Sequence, residues 1–453
     1  MKRFITMKWV FAGTFAVLTV LSIVTWCIQP PAAPPGKKPL VWVTDTNPLR
    51  TEQVSLFNRS HAQTDLELDP NDSGVEKVIV QSIGGVGPDV FDAFDGSQLA
   101  AFAKSGVALD VTDALKARGV DIASSAFPAV LNAAMLDGRV YGVPTNIAAD
   151  ATWFHRDIFD EAHIPYPKGP IKWDEVIRIA QKLTVRDANG RITRFGILLP
   201  WWNWRHFFAG FGAHVFSPDG TRCVVDSPEA IAAVELMHDL VYKYHVCPSP
   251  AEEAGIASQG GFGASDSGVF GAKRAAMAVG GRWWLSELRK IPDLHLGVFE
   301  SPFQNVRHFR AYGRATLVSR ETKNLDAALD FLVFLAGKSY NQLVNDQADG
   351  SSAFPAYDTG PQFLHNPKHP EEDYNEVWQT ASRYSVPDDL CPFVDSTTST
   401  RLFQNQLDLI QNNLKTPAQA MRDAAANINA EIQHAIADDP SLAARYRAAT
   451  GSK

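Results

Sequence analysis

The chain has 453 residues, 45% hydrophobic and 20% charged, an ordinary globular balance with enough apolar content for two domains. Its formal net charge of −8 argues against a nucleic-acid partner, which usually requires a basic face. The four cysteines form no C-x-x-C pair and the histidines are scattered, so no metal site is expected. Because no phosphate-cradling glycine loop is present, no cofactor is predicted either.

Residues 1–39 are predicted to be a targeting segment followed by a tether. Three basic residues precede Trp9–Ile28, an uncharged run long enough to cross a bilayer. Basic residues on that side predict that the rest of the chain is exported. The run is either a signal peptide or an uncleaved membrane anchor, and its length slightly favours the anchor. Gln29–Pro39 is a proline-rich tether, so the fold should begin at Leu40.

The first part of the folded chain alternates between strand and helix patterns. Strands are predicted at Leu40–Val43, Asp65–Leu68 and Asp89–Phe91, and helices at Thr51–Ser60 and Val75–Ile83. This rhythm predicts a largely parallel sheet flanked by helices, which is an α/β fold.

Four polar residues follow the predicted strands of this sheet. They are Asp45, Asn47, Asp92 and Asp95. Ligands bind beyond the carboxyl ends of parallel strands, so these side chains are candidate ligand contacts. The alternative is that they cap the helices that follow.

The middle of the chain carries a hairpin pattern and a tryptophan cluster. Ala133–Pro144 is predicted to be a hairpin that turns at Asp137-Gly138, and Asn146 follows it. A helix is predicted from Trp173, and a strand at Phe195–Leu199. Trp201, Trp202, Asn203 and Trp204 come directly after that strand. Clustered tryptophans favour a stacking surface, although cores also gather them.

A second tryptophan pair follows a small apolar segment. Ser249–Gly268 is rich in glycine, alanine and serine and is predicted to be a mobile loop. Ala275–Val279 is predicted to be a buried strand, and Gly280-Gly281 permit close backbone approach beyond it. Arg282, Trp283 and Trp284 then form a candidate ligand platform. The alternative is that both tryptophans are core residues.

In the rest of the chain, short strands are predicted first, and mostly helices after about Phe354. Strands are expected at Leu294–Phe299 and Arg310–Leu317, a short one at Cys223–Val225, and helices at Leu325–Ala336, Leu402–Leu414 and Pro417–Ile436. One disulfide among Cys223, Cys247 and Cys391 is possible in an oxidising compartment, and its pairing stays open.

Five motifs occur in an order that resembles one protein family. They are G-x-x-P-D-V within Gly84–Val90, D-G-x-x-Y-G-V-P at Asp137–Pro144, the F-H-R-D-I-F segment at Phe154–Phe159, D-S-P-E-A at Asp226–Ala230, and F-G-A-K-R-A-A-M-A-V-G-G-R-W-W-L at Phe270–Leu285. The chain therefore resembles extracellular solute-binding proteins of ATP-driven importers, the sugar-binding group that includes maltose-binding protein.

The resemblance implies a two-lobed α/β fold of the type II periplasmic-binding-protein kind. Each lobe would hold a mostly parallel sheet, and three crossings would form the hinge. Residues 40–146 plus 311–351 would form the N-terminal lobe, and residues 147–310 plus 352–453 the C-terminal lobe.

The resemblance also implies the site. Trp283 takes the place of a tryptophan that stacks on sugar in the family. Trp201 and Trp202 would be aromatic contacts with Asn203 as a polar partner, and Tyr312 would return near the cleft. Asn146 would lie at the first crossing. Arg282 stands where many members have proline, so it could bind an acidic ligand; the alternative is an ion pair with an aspartate of the cleft.

The expected function is capture of a mono- or oligosaccharide outside the cytoplasm, in the periplasm or on the outer face of the cytoplasmic membrane, for delivery to the permease subunits of an ABC transporter. The protein is expected to be a monomer, held at the membrane if residues 9–28 are retained. Alternatives are binding of an acidic sugar or glycerol phosphate ester, and a membrane-anchored sensor without transport. A glycoside hydrolase would need two opposed carboxylates in a motif that the sequence does not display.

Overall fold

The computed structural model describes residues 11, 13–22, 34–69, 74–256 and 264–451. Residues 13–22 are helical. Across these described ranges, no helix combines the length and the apolar character needed to cross a membrane. The predicted apolar run Trp9–Ile28 and tether Gln29–Pro39 lie partly outside the described residues.

The strands fall into two large sheets and one small hairpin. In chain order they are β1 Lys38–Val43, β2 Thr64–Asp69, β3 Val90–Ala93, β4 Met135–Leu136, β5 Arg139–Val140, β6 Gly142–Pro144, β7 Ala148–His155, β8 Val185–Arg186, β9 Ile192–Leu198, β10 Ala275–Gly281, β11 Leu296–Glu300, β12 Phe309–Tyr312, β13 Ala315–Val318 and β14 Ser385–Val386.

Helices flank both sheets. From residue 50 onward they are α1 Arg50–Ser60, α2 Val75–Ile83, α3 Gly96–Lys104, α4 Thr112–Ala117, α5 Ile122–Ser125, α6 Arg156–Glu161, α7 Trp173–Leu183, α8 Trp204–Phe211, α9 Pro228–Tyr242, α10 Pro250–Ile256, α11 Ala264–Gly271, α12 Leu285–Leu288, α13 Leu325–Ala336, α14 Lys338–Gln347, α15 Pro361–Leu364, α16 Asn375–Arg383, α17 Ser396–Gln411, α18 Pro417–Asp438 and α19 Pro440–Thr450. Short 3₁₀ helices occur at Pro128–Ala133, Trp201–Asn203, Arg282–Trp284 and Pro355–Tyr357.

The first sheet has the order β2-β1-β3-β13-β6. Strand β1 pairs in parallel with β2 and β3, whereas β13 runs antiparallel to β3 and β6. The second sheet has the order β14-β12-β7-β10-β9-β8, and β11 also pairs with β7. Strand β7 is antiparallel to β10, β11 and β12. The predicted two-lobed α/β fold is confirmed, but both sheets are mixed rather than mostly parallel.

The chain passes between the two sheets three times within the described residues. It leaves β6 at Pro144 and enters β7 at Ala148, and it returns between Tyr312 and Ala315. A third passage follows α14, where Ser351 bridges Ile147 of the first passage. The region predicted to be one strand, Arg310–Leu317, is therefore two strands, because its halves belong to different sheets.

Each sheet buries apolar side chains on both faces. In the second sheet, Phe154 and Ile197 pack on one face against helices that include α8 and α9. Trp153 and Trp284 pack on the other face with residues of α16. The alternation along β7 follows from the two-residue period of a strand.

Several local predictions from the sequence can be compared with the structure. The hairpin of β4 and β5 turns at Asp137 and Gly138, both with positive φ, as predicted. Helix α13 has the predicted bounds. The predicted strand Cys223–Val225 is wrong: among the described residues, Cys223 forms an isolated bridge with Phe216.

The predicted mobile loop Ser249–Gly268 contains helix α10 and the start of α11, and residues 257–263 lie outside the described ranges. Three cysteines are described, and each is a free thiol in this structure. Cys223 and Cys247 are buried in the second lobe.

Candidate functional site

Three aromatic residues meet where the chain passes between the sheets. Trp202, Trp283 and Tyr312 are each partly exposed, and we call them the aromatic shelf. The indole Nε1 of Trp283 donates a hydrogen bond of 2.9 Å to the Tyr312 hydroxyl. The rings of Trp202 and Tyr312 lie 6.5 Å apart at an interplanar angle of 76°. The shelf therefore joins three separate stretches of chain.

The glycine pair at the end of β10 gives the shelf its shape. A Cβ on Gly281 would lie 2.5 Å from Cδ1 of Trp283 and 3.2 Å from the Tyr312 hydroxyl. A Cβ on Gly280 would lie 2.6 Å from the indole ring of Trp284. Only glycine allows both indoles to fold back against the strand that precedes them.

Charged and amide side chains border the shelf. Asp266 accepts a 3.0 Å hydrogen bond from Nε1 of Trp202. The guanidinium of Arg310 lies 4.4 Å from the centre of the Tyr312 ring and 5.8 Å from that of Trp202. Burial raises the pKa of Asp266, although the Trp202 hydrogen bond opposes this shift. The shelf thus offers apolar ring faces beside polar groups.

A buried polar group lies directly behind the shelf. Asn203 accepts a 2.7 Å hydrogen bond from Nη1 of Arg310 and donates one of 3.0 Å to Asp150. Nδ1 of His206 lies 3.6 Å from the same Asp150 oxygen. In the described part of the chain, Oδ1 of Asp150 and both ring nitrogens of His206 have no hydrogen-bond partner.

A buried ion cluster lies near the third passage. Arg50 and Arg314 contact the carboxylates of Asp45 and Asp349. Arg314 also lies 3.0 Å from Asp92. Burial would raise the pKa of Asp349, but the two arginines hold it well below its usual range. This cluster ties β1, β3 and the passage after α14 together.

Two of the residues predicted at the strand ends, Asp92 and Asp45, form hydrogen bonds and ion pairs with other residues of the protein. Asp92 is buried and accepts hydrogen bonds from Trp42, Thr44 and Thr316, and its burial raises its pKa. Asp45 is partly exposed, and Arg314 and Arg50 lower its pKa although burial opposes this.

Asn47 and Asp95 lie near the starts of helices. Asn47 accepts a hydrogen bond from the amide of Leu49, just before α1. Asp95 is the N-cap of α3 and accepts from the amide of Gln98. The alternative of a helix-capping role thus describes Asp95 in this structure.

Asn146 lies at the first passage, as the resemblance implied. Its Nδ2 donates to the carbonyl of Asp349, and its Oδ1 accepts from the amide of Arg314. One side chain therefore links all three passages, since these partners belong to the second and third.

Arg282 and two of the predicted tryptophans lie in the interior. Trp201 and Trp284 are 6% and 0% exposed and pack in the second lobe. Arg282 is 1% exposed and donates to the carbonyls of Asn345 and Gly350. Burial lowers the pKa of this guanidinium to about 10. In this conformation these three side chains are enclosed by protein.

Three neighbours of the shelf are absent from the sequence prediction. Arg310 stands two positions before Tyr312 on β12, so strand alternation could have pointed to it. Asp150 pairs with Gly281 across β7 and β10, which only the register reveals. Asp266 lies in the segment predicted to be a loop, and no local pattern marks it.

Comparison with known proteins identifies the family. The model of the family described as bacterial extracellular solute-binding protein matches residues 44–342. A galactooligosaccharide-binding protein of Bacillus subtilis is 21% identical over 403 residues, covering 84% of this chain and 86% of the relative. An arabinooligosaccharide-binding protein of Halalkalibacterium halodurans is 22% identical over 322 residues, covering 66% of this chain and 67% of the relative.

Solved structures share the fold. An ABC substrate-binding protein from Listeria monocytogenes in complex with cycloalternan has a TM-score of 0.74 at 21% identity, covering 87% of this chain and 98% of its own. Maltose-bound MalE3 of T. maritima has a TM-score of 0.69 at 19% identity, covering 86% of this chain and 98% of its own. The family predicted from the motifs is confirmed, and the chain belongs to the bacterial extracellular solute-binding proteins.

Proposed function

We propose that this protein captures an uncharged sugar, a mono- or oligosaccharide, on the aromatic shelf and delivers it to an ABC permease. The observation that carries the proposal is the shelf itself: two partly exposed indoles and a phenol ring bordered by Asp266 and Arg310. The C–H faces of a sugar pack on such rings, while its hydroxyls pair with polar groups.

The relatives support a carbohydrate ligand. The two curated relatives carry names of oligosaccharide-binding proteins, and the solved neighbours hold cycloalternan and maltose. The same relatives are binding proteins rather than enzymes, so we propose binding without turnover. Since the family is extracellular, we place the working part outside the cytoplasm, with residues 9–28 as signal or anchor and the protein as a monomer.

An acidic ligand has less support. That alternative depended on Arg282, whose guanidinium is buried and bonded to Asn345, Gly350 and Asn375. The charged residues that do border the shelf include Asp266 as well as Arg310. A carboxylate or phosphate on the shelf would therefore meet an acid, which costs free energy.

Movement of the lobes would accompany capture. We propose lobes of residues 40–146 plus 313–351 and 147–312 plus 352–453, hinged at the three passages. The boundary expected between residues 310 and 311 moves because β12, which includes Ala311 and Tyr312, pairs with β7 in the second sheet. A ligand that touches both lobes only when they are close shifts the population towards the closed form. Asn146 and the ion cluster of Arg50 and Arg314 lie at this hinge.

The test is a binding screen on the full chain purified in a mild detergent. Isothermal titration calorimetry would compare maltotriose, mannobiose, galactobiose and arabinobiose with digalacturonate and glycerol 3-phosphate. We expect one neutral sugar to bind and to raise the melting temperature by mass action. Binding of glycerol 3-phosphate alone, or hydrolysis of any oligosaccharide during the titration, would contradict the proposal.

A further inference from the structure

We propose that Arg310 donates hydrogen bonds to the bound ligand and makes this site selective for uncharged sugars. The inference rests on the proposed function and goes beyond it by naming the residue that sets specificity. Arg310 is partly exposed, lies on β12, and reaches the shelf two positions before Tyr312.

The guanidinium of Arg310 is fixed from several sides. The Tyr312 ring lies 4.4 Å away, the Trp202 ring lies 5.8 Å away, and Nη1 donates 2.7 Å to Asn203. Cation–π contacts and a short amide hydrogen bond together restrict a side chain that is otherwise flexible. A donor held in one position can discriminate between sugar stereoisomers, because it cannot move to reach a hydroxyl oxygen that points in another direction.

Two of the three guanidinium nitrogens donate no hydrogen bond within the described part of the chain. Nε is buried and lacks a hydrogen-bond partner in the described part of the chain. Within the described residues the guanidinium donates one hydrogen bond, from Nη1 to Asn203, so Nη2 likewise has no acceptor there. Because Nε is enclosed by protein in this conformation, Nη2 is the donor that a ligand oxygen beside the shelf can reach. Nη2 belongs to a guanidinium whose carbon lies 4.4 Å from the centre of the Tyr312 ring, so this donor is adjacent to the surface on which the sugar would stack.

The residues behind Arg310 act as positioning residues. Asn203 is 1% exposed and is held in turn by its 3.0 Å bond to Asp150, which is fully buried. Nδ1 of His206 lies 3.6 Å from the Asp150 oxygen that accepts this bond. This row of side chains fixes the Asn203 oxygen towards Arg310, and Arg310 towards the shelf.

The charges around Arg310 favour hydroxyl oxygens over anions. Asp150 lies behind it through Asn203, and Asp266 borders the same shelf through Trp202. A sugar hydroxyl accepts a charge-assisted hydrogen bond from the guanidinium without adding a negative charge. A uronate or phosphate would instead bring its charge close to Asp266, and the repulsion would offset the attraction.

The experiment measures affinity by calorimetry at pH 8 on the full chain. The ligands are the tightest-binding neutral oligosaccharide of the four above and digalacturonate, and the variants are Arg310→Gln, Arg310→Lys and Asp266→Asn. The matched control is Arg307→Gln, because Arg307 lies beside the same strand but pairs with Glu300 and packs on Tyr384.

We expect Arg310→Gln to weaken neutral-sugar binding by at least about tenfold, the usual effect of losing a charge-assisted hydrogen bond. Arg310→Lys should weaken it by a smaller factor, and Arg307→Gln should stay within about twofold of the wild type. Wild-type protein should bind the neutral sugar more tightly than digalacturonate. Asp266→Asn should reduce the ratio of the two dissociation constants several-fold.

The outcomes separate this inference from the proposed function. Wild-type binding of a neutral sugar with no loss in either Arg310 variant would overturn the role of Arg310 and leave the function intact. Tighter binding of digalacturonate than of the neutral sugar would overturn the selectivity. If the wild type binds none of the sugars, both proposals fail. Should Arg310→Gln not fold, as judged by near-ultraviolet circular dichroism, Arg310→Lys decides the result.

Discussion

The indole nitrogen of Trp283 donates a 2.9 Å hydrogen bond to the hydroxyl of Tyr312, which lies at the last position of β12. This bond joins Trp283, two positions after the end of β10, to the residue before the second passage between the sheets. It holds a partly exposed indole beside the end of the second sheet. The geometry of the shelf therefore depends on the hinge as well as on the strand that carries Trp283.

The first prediction concerns the two exposed indoles. Trp202→Ala and Trp283→Ala should each weaken binding of the neutral sugar by about 1.5–3 kcal/mol, the value of burying one large apolar side chain. Calorimetry on the full chain measures the change. Tyr384→Ala is the control, because Tyr384 is 42% exposed and packs on Arg307, away from the shelf. Unchanged affinity in both tryptophan variants would place the ligand elsewhere.

The second prediction concerns the bond between Trp283 and Tyr312. Tyr312→Phe keeps the ring for stacking but leaves the indole N–H without its acceptor, at a cost of about 1–3 kcal/mol in unfolding free energy. Burial raises the pKa of the Tyr312 hydroxyl, so it stays protonated at neutral pH and the effect should not vary between pH 6 and 8. Urea denaturation at both pH values tests this. An unaltered unfolding free energy would show that the bond contributes nothing.

The adjacent residues Trp283 and Trp284 show what the sequence can and cannot predict. The motif around them identified the strand, the glycine pair and the family. It could not say which indole is exposed, because that depends on the 3₁₀ turn at Arg282–Trp284 and on the packing of Phe270. In such a turn successive side chains point about 120° apart, so one faces the core and the next does not.

Arg282 illustrates a second limit of sequence reasoning. A guanidinium between two glycines and two indoles has the composition of an anion site, and the motif gave no reason to bury it. Its acceptors at Asn345 and Gly350 lie more than 60 residues further along the chain. Arg310 illustrates the reverse case: its strand was expected, but its approach to Asn203 depends on the pairing of β12 with β7.

The third prediction concerns Arg282, which we expect to stabilise the fold. Arg282→Met removes the donor to two buried carbonyls and leaves Glu372 with one cation fewer, which should cost about 3–5 kcal/mol in unfolding free energy. Urea denaturation measures this, with the exposed Arg186→Gln as control. Sugar affinity of the folded protein should stay within about threefold. A variant of normal stability that has lost binding of acidic ligands would restore Arg282 as a ligand contact.

The fourth prediction concerns acid stability of the ion cluster. The pKa of Asp349 is held low in the folded protein by Arg50 and Arg314, so its ionised form stabilises the fold above the ordinary value near 4. That stabilisation is lost progressively as the pH falls below about 4. Asp349→Asn should cost about 3–5 kcal/mol at pH 7 and about 1 kcal/mol less at pH 3, because the stabilisation falls by about 1.4 kcal/mol for each pH unit below the ordinary value. Melting temperatures across this range test it, and an equal loss at both pH values would contradict it.

The last prediction concerns a buried acid beside the third passage. The side chain of Asp358 is fully buried, and neither carboxylate oxygen has a hydrogen-bond partner in the described residues. Burial raises its pKa to about 7, although Arg383 opposes the shift. Because this pKa is raised above the unfolded value of 3.8, the folded protein binds the extra proton and loses stability as the pH rises from about 4 to 7.

Asp358→Asn should remove that dependence, because an amide carries no charge at any of these pH values. The shift corresponds to at most about 4 kcal/mol, so the variant should be more stable than the wild type at pH 8 and similar to it at pH 4. Asp113→Asn, which replaces an exposed acid, is the control. Urea denaturation at pH 4, 6 and 8 gives the comparison. A difference between wild type and Asp358→Asn that is the same at all three pH values would mean that the carboxyl of Asp358 does not titrate in the folded protein within this range, and that polar contacts rather than charge set its cost.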